Sequence, residues 1–394
     1  MTGRGVDVEW RPRAAGLASR IGEALALRNL DWADAVRNTP RHLFVPRFYR
    51  QNSGGQWTSI DSDDPTWLDS VYADVPLVTA LLPDEHGRQV VVSSSTKPAL
   101  MLRMLDALDI EPGHRVLEIG TGTGYNAALL CHHARGETSN EAVVVSVDIG
   151  ADLVDTARAR LLELGHSPIL VTGDGIRGVA SHAPYQRIIA TCSVPAIPWD
   201  WAEQLDEHGQ LLADLKIGLH AGNLVLLRRY TDRLEGRFLP KRAGFMSARA
   251  RDAATPIPRL PGPPPELTGH TSTRLDPDPW TALVPWFLAQ AGRVPIIRYS
   301  RSGQSLDTHA FTAADGSHCE IGPADSNGTR QVNYGGTHAL WANVEDAHHE
   351  WHSHDQPGWE RLGLTITPDG AHRLWLDTPD TTLRQLPGRA SREK

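Results

Sequence analysis

The sequence predicts an α/β fold, a parallel doubly wound sheet followed by a smaller α+β domain. Three observations carry that prediction: short apolar runs alternate with amphipathic ones from Arg115 to Arg229, a glycine-rich turn joins one such run to a helix, and a proline-dense stretch divides the chain. Arg115 to Ile119 reads as a strand and Tyr125 to Ala134 as the helix after it. Ala142 to Val147 is an unbroken apolar run of the kind buried on both faces of a sheet. Asp152 to Leu164 has apolar residues at helical spacing, with Gly165 as its stop. Ile169 to Thr172, Arg187 to Ala190, Gln210 to Leu215 and Leu224 to Arg229 complete the strands.

Two stretches interrupt the alternation. Ala253 to Pro279 carries prolines at 256, 258, 261, 263, 264, 265, 277 and 279. Proline removes the backbone donor and fixes φ, so the stretch reads as a semi-rigid linker between a domain at 1–252 and an accessory domain at 280–394. Gln51 to Pro65, rich in Ser, Gly, Asp and Asn, reads as a surface loop. The accessory domain holds six of the twelve tryptophans (280, 286, 341, 351, 359 and 375), which suit either a core or a peptide-binding surface.

Composition narrows the function. The 394 residues carry 47 acids against 39 Lys and Arg, a net charge of −8, which weighs against a phosphate-binding face and a nucleic-acid partner. No run of about 18 apolar residues appears, so no membrane span is expected. Met1 to Arg20 lacks the apolar stretch of a secretory signal. The three cysteines, Cys131, Cys192 and Cys319, are too few and too scattered for a disulfide framework or a zinc ribbon. A cytoplasmic protein is the expectation.

The chemistry lies in Val116 to Tyr125, VLEIGTGTGY, which sets Glu118, Gly120, Thr121, Gly122 and Gly124 on a strand-to-helix turn. A dinucleotide fingerprint G-x-G-x-x-G/A would need Gly or Ala where Tyr125 stands. The pattern present, E-x-G-x-G-x-G, resembles motif I of the class I S-adenosylmethionine-dependent methyltransferases, a Rossmann-like fold whose cofactor carries a sulfonium cation and no phosphate. An acid at Glu118 suits the cationic side of such a ligand. Asp148, with Ile149 beside it, ends the next strand, where a carboxylate can accept from both ribose hydroxyls. Gly173, Asp174 and Gly175 end a third strand and suit the adenine edge.

The resemblance widens. PRHLFVP (Pro40 to Pro46), VYADVPL (Val71 to Leu77), PYQRIIA (Pro184 to Ala190) and LDEHGQLL from Leu205, in this order, resemble the protein-L-isoaspartate O-methyltransferases from Leu25 to Met246. That family carries an I-S-x-P-x-M segment whose serine touches the substrate carboxylate. Here the segment is VVVSSSTKPALML, which places Thr96 at the serine position, with Ser94 and Ser95 ahead of it and Lys97 behind. The resemblance thus implies Thr96, Ser95 and Ser94 as the acceptor-side hydroxyls.

The altered segment, the Gln51 to Pro65 stretch and the added C-terminal domain resemble one branch of the family. That branch accompanies ATP-grasp peptide ligases in the biosynthesis of ribosomal peptides of the graspetide type. It implies methylation of an aspartate in a ligase-modified peptide, with an aspartimide as product and an ATP-grasp ligase as partner. The alternative is a repair enzyme for L-isoaspartyl proteins. His348 to His354 does not meet the H-E-x-x-H register and reads as a solvated helix end, so no metal is expected.

Overall fold

A computed structural model describes residues 6–84, 87–133, 144–218, 221–249, 266–274, 300–301, 309–312, 316–336 and 340–386. The chain forms two compact units, residues 1–191 with 203–212, and residues 192–202 with 213–394.

The first unit opens with α1 (Val6–Leu25), α2 (Asp31–Asn38) and α3 (Arg41–Phe44). Trp10, Ala14, Leu17, Ala18 and Ile21 of α1 are buried, a three-to-four spacing that makes one apolar stripe. Then come β1 (Arg47–Gln51), β2 (Trp57–Asp61), α4 (Trp67–Val71), β3 (Leu77–Pro83) and β4 (Gln89–Ser95), an antiparallel sheet in the order β2-β1-β3-β4. The stretch expected to be a surface loop therefore holds a strand, with Arg47 opposite Asp61 and Gln51 opposite Trp57. Its polar residues fill the turn, where Asn52 Oδ1 accepts from Gln56 N at 2.9 Å.

The parallel layer follows: α5 (Pro98–Leu108), β5 (Val116–Ile119), α6 (Tyr125–His133), β6 (Val144–Asp148), α7 (Ala151–Glu163), β7 (Ile169–Thr172) and β8 (Tyr185–Val194). Strand order is β8-β5-β6-β7, all parallel. The chain winds outward from β5 to β7 and returns to β8 on the other side of β5. That reversal makes the crevice between the carboxyl ends of β5 and β8 the natural ligand site of this topology. Every residue of β5 is buried, Glu118 included.

Strands β8 and β9 (Leu205–Gly218) each run from one unit into the other, with α8 (Trp199–Gln204) between them. In the second unit β10 (Ala221–Arg229) pairs antiparallel with β11 (Leu234–Phe238). A separate antiparallel sheet, β12-β16-β15-β14-β13, is built from β12 (Gly269–Thr273), β13 (Ser300–Arg301), β14 (His309–Thr312), β15 (His318–Ala324) and β16 (Arg330–Gly335), and precedes α9 (Leu340–Ser353). Finally β17 (Leu362–Ile366), β18 (His372–Leu376) and β19 (Thr382–Leu386) add antiparallel to β11 in the order β11-β17-β18-β19.

The compact units divide within β8 and β9, and residues 362–386 return to pair with β11. Within the stretch read as linker, Gly269–Thr273 is paired with β16, Gly269 opposite Tyr334; residues 253–265 and 275–279 lie outside the described ones. Of the second-domain tryptophans, Trp341, Trp359 and Trp375 are buried, which is a core role; Trp280 and Trp286 lie outside the described residues.

Candidate active site

The carboxyl ends of β5, β6 and β7 lie along one edge of the parallel sheet in the first unit. After β5 the chain turns through Gly120, whose φ of +98° is closed to most side chains. A Cβ there would stand 2.7 Å from Thr191 Oγ1 of β8. The Thr191 hydroxyl uses that closeness, donating to the carbonyls of Gly120 at 2.7 Å and Ile119 at 3.1 Å. Gly122 differs: a Cβ on it would meet nothing within 4 Å, so its main chain faces open space.

Glu118 lies beneath this turn. Its sequence position suggested a carboxylate facing a cation, but the side chain is fully buried and both oxygens are engaged inside the protein. Oε1 accepts from Asn126 Nδ2 at 2.7 Å and Oε2 from Ser146 Oγ at 2.5 Å. Ser146 Oγ lies 2.7 Å from Thr121 Oγ1, so a buried chain of polar groups runs from Glu118 through Ser146 to the turn. Burial pushes the Glu118 carboxyl up to about 7, against the pull of those two hydrogen bonds, and the Asp148 charge adds to the rise. Its effect on a ligand therefore passes through Thr121 and Asn126.

Asp148 ends β6 half-buried. Its Oδ2 accepts from Gly122 N at 2.9 Å and its Oδ1 from Gly150 N at 3.0 Å. This arrangement tests the cofactor class. A pyrophosphate on this turn would need the Gly122 N–H that Asp148 holds, and would meet a carboxylate. A ligand that offers hydroxyls and a cation fits the donor set, and the open main chain at Gly122 leaves room for it. Ile149 is half-buried beside it, and Gly173, Asp174 and Gly175 are half-buried at the end of β7. Asp174 Oδ1 accepts from Ile176 N at 3.0 Å, capping a short 3-10 turn.

The acceptor-side loop follows β4. Strand alternation puts Ser93 and Ser95 on the buried face, while Ser94 and Thr96 are half-buried and Lys97 is exposed. Ser95 is 2% exposed, and its hydroxyl accepts from Arg41 Nη2 at 3.3 Å. Asp74, from VYADVPL, secures the other side of the loop. It accepts from Ala99 N at 2.8 Å, capping α5, and pairs with Lys97 Nζ at 3.2 Å.

Sequence reasoning missed Arg41, Asp74, Asn126, Ser146 and Thr191. Arg41 and Asp74 sat in plain view inside PRHLFVP and VYADVPL; a charge flanked by apolar residues and turn formers was the available signal. In the histidine run His348 is buried on α9, with Nε2 3.2 Å from His352 Nε2, while His349, His352 and Ser353 at the helix end are exposed. Among the described residues no three metal-ligating side chains come together, and no helix is long and apolar enough to cross a membrane.

Comparison with known proteins agrees with this geometry. Residues 63–236 match the family model of protein-L-isoaspartate(D-aspartate) O-methyltransferase. The chain is 31% identical over 197 residues to protein-L-isoaspartate O-methyltransferase 2 of Archaeoglobus fulgidus, covering 50% of this chain and 75% of that one. It is 35% identical over 207 residues to protein-L-isoaspartate O-methyltransferase of Methanoculleus marisnigri, covering 52% of this chain and 74% of that one. A solved protein-L-isoaspartate O-methyltransferase shares the fold with a TM-score of 0.55 at 21% identity, over 92% of this chain and 99% of that one. The fold likeness thus extends well past the parallel sheet.

Proposed function

The chain belongs to the protein-L-isoaspartate(D-aspartate) O-methyltransferase family, S-adenosylmethionine-dependent carboxyl methyltransferases, and from that premise we propose that it methylates the free carboxylate of L-isoaspartyl residues in proteins or peptides. The observation that carries this reading is the loop at Thr96, a hydroxyl followed by an exposed lysine, held from beneath by two residues of the motifs that resemble the family.

S-adenosylmethionine, when bound, supplies a sulfonium methyl that a carboxylate oxygen takes without a proton changing hands. A carboxyl group with an ordinary pKa near 3.9 is ionised at neutral pH, so the protein needs no general base. Its work is binding, orientation and exclusion of water. Asp148 would hold the ribose hydroxyls, Ile149 would cover the adenine face, and Gly173 to Gly175 would border its edge. The Glu118, Ser146 and Thr121 chain keeps the glycine turn in shape. On the acceptor side the Thr96 hydroxyl donates to one carboxylate oxygen and fixes the direction of the other. Lys97 adds positive charge at the entrance, and Asp74 tethers it.

A second reading is favoured by one observation, the SSTK sequence at the acceptor loop where the family pattern has a single serine. In it the acceptor is an aspartate of a biosynthetic peptide modified by an ATP-grasp ligase. One experiment separates the two. Purified protein and S-adenosylmethionine are incubated with an isoaspartyl peptide, its aspartyl counterpart and a ligase-modified precursor, followed by mass spectrometry. A methyl ester on the isoaspartyl peptide supports the first reading. An ester followed by methanol loss on the precursor alone replaces it with the second, and no ester on any of them removes both.

A further inference from the structure

Arg41 is the least expected charge in the first unit. It opens the four-residue α3, its side chain is 0% exposed, and among the described residues no carboxylate forms an ion pair with it. Its guanidinium instead collects carbonyls. Nη1 donates to Val71 O at 2.8 Å and Ala73 O at 3.1 Å. Nη2 donates to Val75 O at 3.3 Å, Ser95 Oγ at 3.3 Å and Thr96 O at 3.1 Å. Nε is buried with no acceptor. Burial pulls the guanidinium down to about 10, with Tyr125, Asp74 and Tyr72 opposing the shift. A buried charge that costs this much is seldom kept for stability alone, since an apolar side chain of the same volume often serves as well.

The five acceptors lie on two segments only. Val71 to Val75 leads into β3, and Ser95 to Thr96 leads out of β4, whose ladder begins at Leu77 opposite Ser95. Arg41 therefore closes the open end of that ladder and grips the Thr96 peptide by its carbonyl, while Asp74 grips the next turn through Ala99 N. The same guanidinium carbon lies 5.8 Å from the ring centre of Tyr125, the residue that follows the glycine turn and starts α6. Phe44, from the same short helix, packs on that ring at 5.8 Å.

We propose that Arg41 is a positioning residue for methyl transfer, setting the Thr96 hydroxyl in register with the glycine turn through its fork of hydrogen bonds. This rests on the proposed function for its catalytic consequence and on the geometry alone for its structural one. Lysine cannot replace it, because an ammonium has three donors on a point and no planar fork. A misplacement of about 1 Å in an acceptor can cost about 100-fold in rate.

The test uses the full chain with Arg41→Lys, Ser95→Ala, Thr96→Val and the Arg41→Lys/Thr96→Val double variant. Calorimetry measures affinity for S-adenosylhomocysteine, and turnover is followed on the isoaspartyl peptide. Expected are a fall in kcat of about 100-fold for Arg41→Lys and about 3- to 10-fold for Ser95→Ala, with product affinity within about 3-fold of the parent. In the Thr96→Val background the further loss from Arg41→Lys shrinks below about 3-fold, because both changes act on one group. Full additivity overturns the proposal. So does a loss that appears only as weaker cofactor binding. Should Arg41→Lys fail to fold, Ser95→Ala decides by the same criteria. Should the parent chain leave isoaspartyl peptides untouched, the functional reading fails by itself, and amide exchange decides the structural claim. Faster exchange confined to residues 73–76 and 96–99 in Arg41→Lys upholds it; unchanged exchange there refutes it.

Discussion

At Glu118 two demands meet on one side chain. A carboxyl group sits in the middle of a fully buried strand because it holds Asn126 and Ser146, and through Ser146 the hydroxyl of Thr121. Burial raises its pKa to about 7 from an ordinary 4.5, so the folded chain binds that proton more tightly than the unfolded chain. The stabilisation is complete below the unfolded value and is lost as pH rises through the folded one. Between those values the slope approaches about 1.4 kcal/mol per pH unit. Asp214, raised to about 6 by burial, contributes in an overlapping window. Glu118→Gln should remove its own share, so the difference in urea stability between parent and variant should narrow steadily from pH 4.5 to 7. A constant difference across that range would mean Glu118 titrates normally. Thr96→Val tests the other face of the site: kcat should drop about 10- to 100-fold with cofactor affinity unchanged, and a variant with parental turnover would remove Thr96 from the reaction. The glycine spacing and the acids at strand ends made Asp148 and the turn legible in the sequence. Arg41 was not, because its five acceptors lie thirty or more residues away and no local pattern encodes a long-range fork.

The glycine turn works as an element because it is packed against a neighbouring strand. Gly120 combines a φ of +98° with a Cβ position 2.7 Å from Thr191 Oγ1. Gly120→Ala should therefore cost on the order of 1–3 kcal/mol of stability and weaken S-adenosylhomocysteine binding at least tenfold. Adding Thr191→Ala relieves the clash and leaves the backbone strain, so the double variant should recover only part of the loss. Full recovery in calorimetry would show that sterics alone mattered, and an unaffected single variant would mean the turn is not as tight as described. Elements of this kind, short apolar strands followed by a turn and a helix, were readable because burial on both faces writes a continuous run. The helix Val6–Leu25 was not, since its buried stripe is interleaved with arginines and acids and the helix contains Pro12. Strand β2 was hidden for a related reason: an edge strand of WTSID has only Ile60 buried and reads as polar loop.

The whole second unit depends on a pairing that no sequence pattern announces. Strand β11 meets β17 across more than a hundred residues, from Leu234 opposite Ile366 to Arg237 opposite Gly363. Thr365 Oγ1 donates to Glu235 Oε2 at 2.8 Å and accepts from Trp375 Nε1 at 3.0 Å, so the joint is closed by buried polar bonds as well as by the ladder. Phe238 packs on Trp359 with ring centres 5.4 Å apart. A chain ending at Ala253 would keep the glycine turn, Asp148 and Thr96, and would still leave β11 as a bare edge with Leu234 and Phe238 uncovered. Unpaired apolar edges template association. Such a chain should form soluble oligomers or aggregates in size-exclusion chromatography, with a broadened, less cooperative urea transition. A monomer with the sharp transition of the full chain would show that β17 to β19 are dispensable to the fold. The expected result also bears on substrate choice. Truncation would destroy the sheet before it could report on peptide recruitment, so a recruiting role for the C-terminal residues has to be sought with surface substitutions, for instance at exposed Tyr334 and Leu267, that leave the β11-β17 ladder whole.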